Sequence, residues 1–281
     1  GYFTDSITLG SGEPNETTFT AVGDRDGYLA KYNPDGTLAW AQQTGGSTGV
    51  DGGAAVTALP AGGGALLAGY FEGTITFETG ERNETALTSL GAHDMFFAKY
   101  GANGALIWVK QAGGDGVDTC GAIAALPDGG ALTTGAFQNT ATFGPGEANE
   151  TVLASAGSDD LFLAKYNADG TLAWVKRAGG AGSVVGSGVA VLPDNSCLVG
   201  GRFAGETTFG PGEANETLRA AVDDHDAFLA EYAADGSFVW VECAGGDGFD
   251  RYLGVSTAYP GTAWVTGYFQ SDVTFDLGGA N

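Results

Sequence analysis

The sequence predicts an all-β fold built by internal repetition, and three observations carry that expectation. A Gly-x-Phe element recurs at Gly1, Gly69, Gly135, Gly201 and Gly267, in steps of 68 and then 66 residues. Three further markers keep the same phase: Trp40, Trp108, Trp174 and Trp240; glycine pairs starting at Gly45, Gly113, Gly179 and Gly245; and Asp26, Asp94, Asp160 and Asp226. No segment carries a 3.6-residue apolar period, and the 50 glycines fall between short β-like runs without a Gly-X-Y period.

Each element of the unit has a local reason. Gly-Val-Ala-Val-Leu-Pro, 188 to 193, reads as a first strand, and Cys197 to Phe203 as a second after a short polar turn. Asp160 to Tyr166 reads as a third. Asn167-Ala-Asp-Gly170 then turns the chain into Thr171 to Arg177, a fourth strand, because Gly170 takes a positive φ at little steric cost. Asp35-Gly36, Asn103-Gly104 and Asp235-Gly236 repeat the turn. Between the second and third strands lies surplus chain, such as Gly73 to His93, whose Thr-Ile-Thr-Phe and Thr-Ala-Leu-Thr-Ser form an extra hairpin decorating one face or the outer rim.

Four antiparallel strands per unit fit a β-propeller blade better than a solenoid coil. The expected fold is therefore a propeller of four blades of ~66 residues, each of four strands plus the extra hairpin. Residues 1–46 supply the second half of a unit, 47–114, 115–180 and 181–246 are whole units, and 247–281 supply a first half. One blade is then shared between the two terminal segments. Gly1 to Leu9 and Gly267 to Phe275 are versions of one segment, so a closed ring carries one copy too many. The surplus strand pairs with a neighbouring molecule, or the chain is an excerpt of a longer array.

The run from Asp160 to Trp174, the Gly179-Gly180 loop and the second strand ending Gly201-Arg-Phe resemble the bacterial beta-propeller repeat of secreted and surface proteins, a seven-bladed-propeller-type repeat. The resemblance covers all units and implies a propeller in an exported bacterial protein. It implies no activity, since that family shares no catalytic residues.

Composition sets limits on function. Hydrophobic residues make up 43% of the chain, enough for a core. A net charge of -23 excludes a nucleic-acid partner, which needs clustered Lys and Arg. No apolar stretch is long enough to span a bilayer. Start at Gly1 without a Met reads as a processed or trimmed product and favours export to the cell exterior or surface. The three cysteines, Cys120, Cys197 and Cys243, fall outside any paired pattern and read as small buried residues.

Four candidate sites recur. Asp26, Asp94, Asp160 and Asp226 stand at one level around a ring, where carboxylates could bind Ca²⁺, although a carboxylate before a strand also accepts backbone N–H groups in a turn. The Gly113 to Asp118 and Gly245 to Asp250 loops look like a calcium nonapeptide but lack its tandem stacking, and the third unit ends in Val184, so a turn explains them better. Asn15, Asn83, Asn149 and Asn215 each open Asn-Glu-Thr, an N-glycosylation acceptor pattern that also suits a polar hairpin tip. The repeated tryptophans are assigned to core packing. Trp264, standing where other units have leucine, is assigned to a gap near the closure seam.

No Ser-His-Asp, Walker or repeated histidine pattern is present, so the expected function is a non-catalytic extracellular structural or adhesive module, with copies of itself joined head to tail through the surplus strand as the expected partner. The alternative is a carbohydrate-binding lectin with sites repeated between blades.

Overall fold

The computed structural model describes residues 1–78, 84–258 and 262–275. The N-terminal half-unit carries β1 (Tyr2–Phe3), β2 (Ser6–Leu9), β3 (Thr17–Thr20), β4 (Asp26–Tyr32) and β5 (Leu38–Gly45). The first whole unit follows with β6 (Gly52–Ala58), β7 (Ala65–Phe71), β8 (Thr74–Phe77), β9 (Thr85–Thr88), β10 (Asp94–Tyr100) and β11 (Leu106–Gly114). The second has β12 (Thr119–Ala125), β13 (Ala131–Phe137), β14 (Thr140–Phe143), β15 (Thr151–Ala154), β16 (Asp160–Tyr166) and β17 (Leu172–Gly180). The third has β18 (Val184–Val191), β19 (Cys197–Phe203), β20 (Glu206–Phe209), β21 (Thr217–Ala220), β22 (Asp226–Tyr232) and β23 (Phe238–Gly246). β24 (Arg251–Ala258), β25 (Thr262–Tyr268) and β26 (Val273–Phe275) close the described chain. Among the described residues the only helix is a 3₁₀ turn at Pro60–Gly62, so the all-β expectation holds, in a propeller-like arrangement of antiparallel sheets.

Of the two positions expected for the extra hairpin, it takes the outer edge and not a face. The strand orders β6-β7-β10-β11-β14-β15 and β12-β13-β16-β17-β20-β21 place it on the outer strand of the preceding sheet. Ala112, Gly113 and Gly114 of β11 pair with Phe143, Thr142 and Ala141 of β14, although those residues belong to the next unit. Each hairpin thus satisfies an outer edge that would otherwise expose backbone donors and acceptors. Sheet boundaries and sequence-repeat boundaries consequently differ.

Successive sheets stack face to face, and this explains the apolar third strands. On β16, Leu161 and Leu163 join a core with Val199 and Phe203 of the following unit. Phe162, Ala164 and Tyr166, on the other face, join Met95, Phe97 and Phe143 in the core towards the preceding sheet. A third core holds Leu29 against Leu67, Phe71 and Phe96. Strands covered on both faces read as continuous apolar runs rather than as alternation. Cys120, Cys197 and Cys243 are buried free thiols, as expected.

The expected blade shared by the two terminal segments is absent from the sheet pairing. β24 and β25 pair only with each other, while the inner edge of β4 is occupied by β1 through Tyr2↔Gly27 and Phe3↔Asp26. The hairpin β2–β3 likewise stands as a separate two-stranded sheet, and β26 takes the outer edge of β23 that such a hairpin would need.

The turn between third and fourth strands joins neighbouring sheets. Gly170 has a φ of 86°, and a Cβ on it would stand 2.8 Å from Cδ2 of Trp108 in the preceding sheet. Trp108 Nε1 donates to Ala168 O at 3.1 Å, and Lys99 Nζ donates to the same carbonyl at 3.0 Å. Trp40 and Lys31 treat Ala102 O identically. Gly170→Ala, which meets both a left-handed backbone and an indole ring, should cost more than about 1 kcal/mol. Gly146→Ala, at φ 76° with open space around it, should cost less; urea titration of both variants measures the difference.

Candidate functional site

The aspartate set is structural in its surroundings. Asp26, Asp94, Asp160 and Asp226 are all fully buried, each opening the third strand of its sheet. Asp26 accepts Val22 N–H at 3.1 Å and Gln43 Nε2 at 2.6 Å. Asp94 accepts Leu90 N–H and Gln111 Nε2, Asp160 accepts Ala156 N–H, and Asp226 accepts Val222 N–H. The repeated glycine pair has its reason here: a Cβ on Gly45, Gly179 or Gly245 would lie 2.0 to 2.2 Å from the nearest atom of Asp26, Asp160 or Asp226. Each carboxylate sits in a different sheet, and among the described residues no three His, Cys, Asp or Glu side chains converge on a metal-sized point.

A second buried set includes Asp118 and Asp250, which the sequence predicts only as turn residues, and Asp51, which carries no such loop signature. Asp51, Asp118 and Asp250 are fully buried, and Val184 takes the place in the remaining unit. Asp118 accepts Gly114 N–H at 2.8 Å and Gln138 N–H at 3.2 Å. Asp250 accepts Gly246 and Gln270 N–H in the same way. Gly113 touches both carboxylates of one pair, since its Cβ would lie 2.6 Å from Asp94 Cγ and 2.9 Å from Asp118 Oδ2. Where the second acid is Val184, Arg177 forms an ion pair with Asp160 at 3.2 Å. The Gly-Gly-Asp-Gly-x-Asp spelling, where Asp118 and Asp250 end a loop next to the invariant aspartate, was the available signal.

Burial pushes Asp51 and Asp118 up to about 7, with the facing Asp26 and Asp94 adding to it. Asp94, Asp160 and Asp226 are also raised, chiefly by burial. Asp94 Oδ1, Asp160 Oδ1 and Asp226 Oδ1 are each buried with no hydrogen-bond partner among the described residues.

The Asn-Glu-Thr motif builds the hairpin tip. Asn149 Nδ2 donates to Leu172 O at 3.1 Å and Asn15 Nδ2 to Leu38 O at 3.0 Å, with Asn215 placed likewise. The nitrogen that would carry a sugar already serves the fold. Asn83 lies outside the described residues. Glu147 accepts Leu172 N–H of the following sheet at 2.6 Å and pairs with Lys110 of its own sheet at 2.6 Å, and Glu213 repeats this with Lys176. The donor pattern changes at Glu231, which replaces the repeated lysine and accepts Trp240 Nε1 at 2.7 Å.

Incomplete pairing at the two ends leaves two matched openings. In whole units the glycine of the second strand packs on an aromatic of the third: a Cβ on Gly69, Gly135 or Gly201 would lie 2.5 to 2.9 Å from Phe96, Phe162 or Phe228. Gly267 on β25 has no such ring. Beside it is a cleft of about 170 Å³ lined by Ala227, Ala244, Val265, Phe269, Val273 and Phe275. Trp264 does not fill a gap: it is 69% exposed on this unpaired edge. At the other end, Tyr28 to Tyr32 of β4 border a groove of about 240 Å³ that reaches Gly53 to Val56 of β6. Sequence reading found the duplicated segment but not these cavities, which depend on which strands are left unpaired.

The raised carboxylates make stability depend on pH. An acid whose folded pKa exceeds its unfolded value near 3.8 favours folding when protonated, so its contribution is lost as pH rises from about 4 to about 7. Asp118→Asn should flatten this slope relative to the parent chain by about 1 to 4 kcal/mol across that interval, as read by urea unfolding at each pH. The general effect of lowering net charge is common to both proteins and cancels in the difference.

No family model matches the chain. A search of curated proteins finds similarity to an uncharacterized WD repeat-containing protein of Acanthamoeba polyphaga mimivirus, 23% identical over 203 residues, which are 66% of this chain and 15% of that protein. The chain thus spans a small part of that relative's length. The likeness agrees with a propeller-type repeat. Among the described residues no helix is long and apolar enough to cross a membrane.

Proposed function

We propose that this chain is a non-catalytic structural module of the cell exterior that joins copies of itself head to tail by strand addition. In this reading β4 of one copy completes the sheet begun by β24 and β25 of another. The observation that carries it is the match between an unfilled cleft at Gly267 and β4, whose Tyr28 packs on Gly1 as Phe96 packs on Gly69, so that joining exchanges Gly1 for Gly267 of another copy.

The register follows from the whole units. There, Tyr70, Gly69 and Ala68 of the second strand face Met95, Phe96 and Phe97 of the third. The corresponding pairing sets Tyr268, Gly267 and Thr266 opposite Gly27, Tyr28 and Leu29. Tyr28 then enters the cleft, and β25 enters the groove along β4 in place of β1. Edge strands with unpaired backbone groups and exposed Trp264, Val265 and Tyr268 are disposed to such addition. A heterologous contact of this kind makes open chains unless its rotation closes. Made within a single chain, the same fit closes a four-bladed ring with one shared blade. The exported setting rests on the resemblance to bacterial surface repeats and on the acidic composition.

Light scattering across a concentration series should give masses that grow above that of one chain. Tyr28→Ala, which empties the aromatic position, and Val265→Lys, which charges the exposed β25 edge, should each return the mass to one chain without loss of fold. A single-chain mass for the parent at every concentration would overturn the assembly reading in favour of closure.

A further inference from the structure

Within the chain, each sheet grips the next at one carbonyl. Lys31 Nζ and Trp40 Nε1 donate to Ala102 O at 3.1 and 3.0 Å, Lys99 Nζ and Trp108 Nε1 to Ala168 O at 3.0 and 3.1 Å, and Lys165 Nζ alone to Ala234 O at 3.3 Å. The indole also covers the turn that carries this carbonyl. A Cβ on Gly104, Gly170 or Gly236 would lie 2.8 Å from Cδ2 of Trp40, Trp108 or Trp174, and all three glycines are buried.

One turn and one tryptophan are left over. Asn33 to Gly36 forms the same turn in the first sheet, with Gly36 at the same φ of 86°, yet Gly36 is exposed and nothing lies within 4 Å of the place its Cβ would take. Tyr32, just before this turn, is 51% exposed, whereas Tyr100, Tyr166 and Tyr232 at the same position are buried. At the other end, Trp240 has no following turn among the described residues, and its Nε1 donates to Glu231 Oε2 at 2.7 Å. Leu229, two residues before Glu231 on β22, is partly exposed, although Leu29, Phe97 and Leu163 at its position are buried. The two outer sheets thus present the two halves of one internal junction.

Strand addition at β25 brings these halves together. β24 already stacks on the sheet of the third whole unit, where Thr257 Oγ1 donates to Val191 O at 2.8 Å and Val255 packs against Gly188 and Gly200. A strand added to β25 continues that layer across β22 and β23. A β4 from another copy then sets its Asn33 to Gly36 turn over Trp240, as Asn167 to Gly170 lies over Trp108.

One residue departs from the internal pattern. Where Lys31, Lys99 and Lys165 stand, the last sheet has Glu231, and Pro34 stands where the gripped carbonyls belong to Ala102, Ala168 and Ala234. A carboxylate cannot donate to the Pro34 carbonyl, and Glu231 also engages the Trp240 N–H that could. The lysine grip is replaced by an acceptor facing an acceptor, an arrangement that lowers affinity.

Resting on the joining described above, we propose that the Gly36 turn of one copy receives Trp240 of another, and that Glu231 sets the affinity of this joint by holding it weaker than the junctions within a chain. Copies then separate while the sheets inside each stay stacked.

Sedimentation equilibrium over a concentration series tests this. Glu231→Lys, which restores a donor to the Pro34 carbonyl, should tighten association by roughly tenfold or more. Glu231→Gln, which keeps an acceptor for Trp240, should tighten it less, and Trp240→Leu should weaken it by roughly tenfold or more. Glu206→Lys makes the same change of charge on the exposed outer hairpin and should leave association unchanged. Neither Glu231 nor Trp240 borders the cleft at Gly267 or the groove along β4, so the outcomes separate the face contact from strand addition. If the parent associates and Val265→Lys abolishes this, while Glu231→Lys and Trp240→Leu leave it as it was, strand addition stands and the Trp240 contact falls. Association of Glu231→Lys beside a single-chain parent upholds the face contact and overturns joining in the parent. Single-chain masses for both proteins overturn both. Equal tightening by Glu206→Lys would mean that net charge alone is responsible, and overturns the role of Glu231.

Discussion

Each sheet of this protein is finished by its successor, and the rest of the structure depends on that exchange. The outer strand of a sheet has a free edge, and the hairpin that covers it is encoded in the next unit, as β14 on β11 and β20 on β17. Backbone groups at a buried edge must be paired. A unit therefore cannot complete itself. The hairpin tip strengthens the join, because Glu147 and Glu213 tie a lysine of the sheet that carries the hairpin to the outer strand of the following sheet. The Trp and Lys pairs that grip the following turn act at the same junction from the other side.

The buried aspartates sit at the centre of each such junction. Asp94 packs against Gly113, whose neighbour Gly114 donates to Asp118, so one glycine pair organises two carboxylates. The arrangement has a cost, since buried charge is disfavoured unless hydrogen-bonded or neutralised. Three junctions retain a second acid at the expense of raised proton affinity at Asp51 and Asp118. The fourth replaces it with Val184 and compensates Asp160 with Arg177. Two different solutions at equivalent positions show that the first aspartate is the fixed element.

Much of the fold was legible in the sequence because its signals are local. Asp160 to Tyr166 is a strand in both readings, and the positive φ of Gly170 was implied by its Asp-Gly turn. The destination of the extra hairpin was not legible, since β8 pairs with β5 of another unit and nothing local in Thr-Ile-Thr-Phe names that partner. Asp118 and Asp250 were visible but taken for turn residues, because burial depends on the neighbouring sheet. Trp264 was assigned to a gap by comparison with buried leucines, whereas the edge it occupies lacks the strand that would cover it.

The proposed head-to-tail joining makes β25 and β4 complementary edges that pair between copies. Amide hydrogen exchange of Thr262 to Tyr268 and of Tyr28 to Tyr32, measured in dilute and in concentrated solution, tests it most directly. Pairing between copies predicts that those amides of the two strands not bonded to β24, β5 or Gly1 exchange fast on dilution and are strongly protected when concentrated. Exchange that stays the same at every concentration, at either edge, would contradict it.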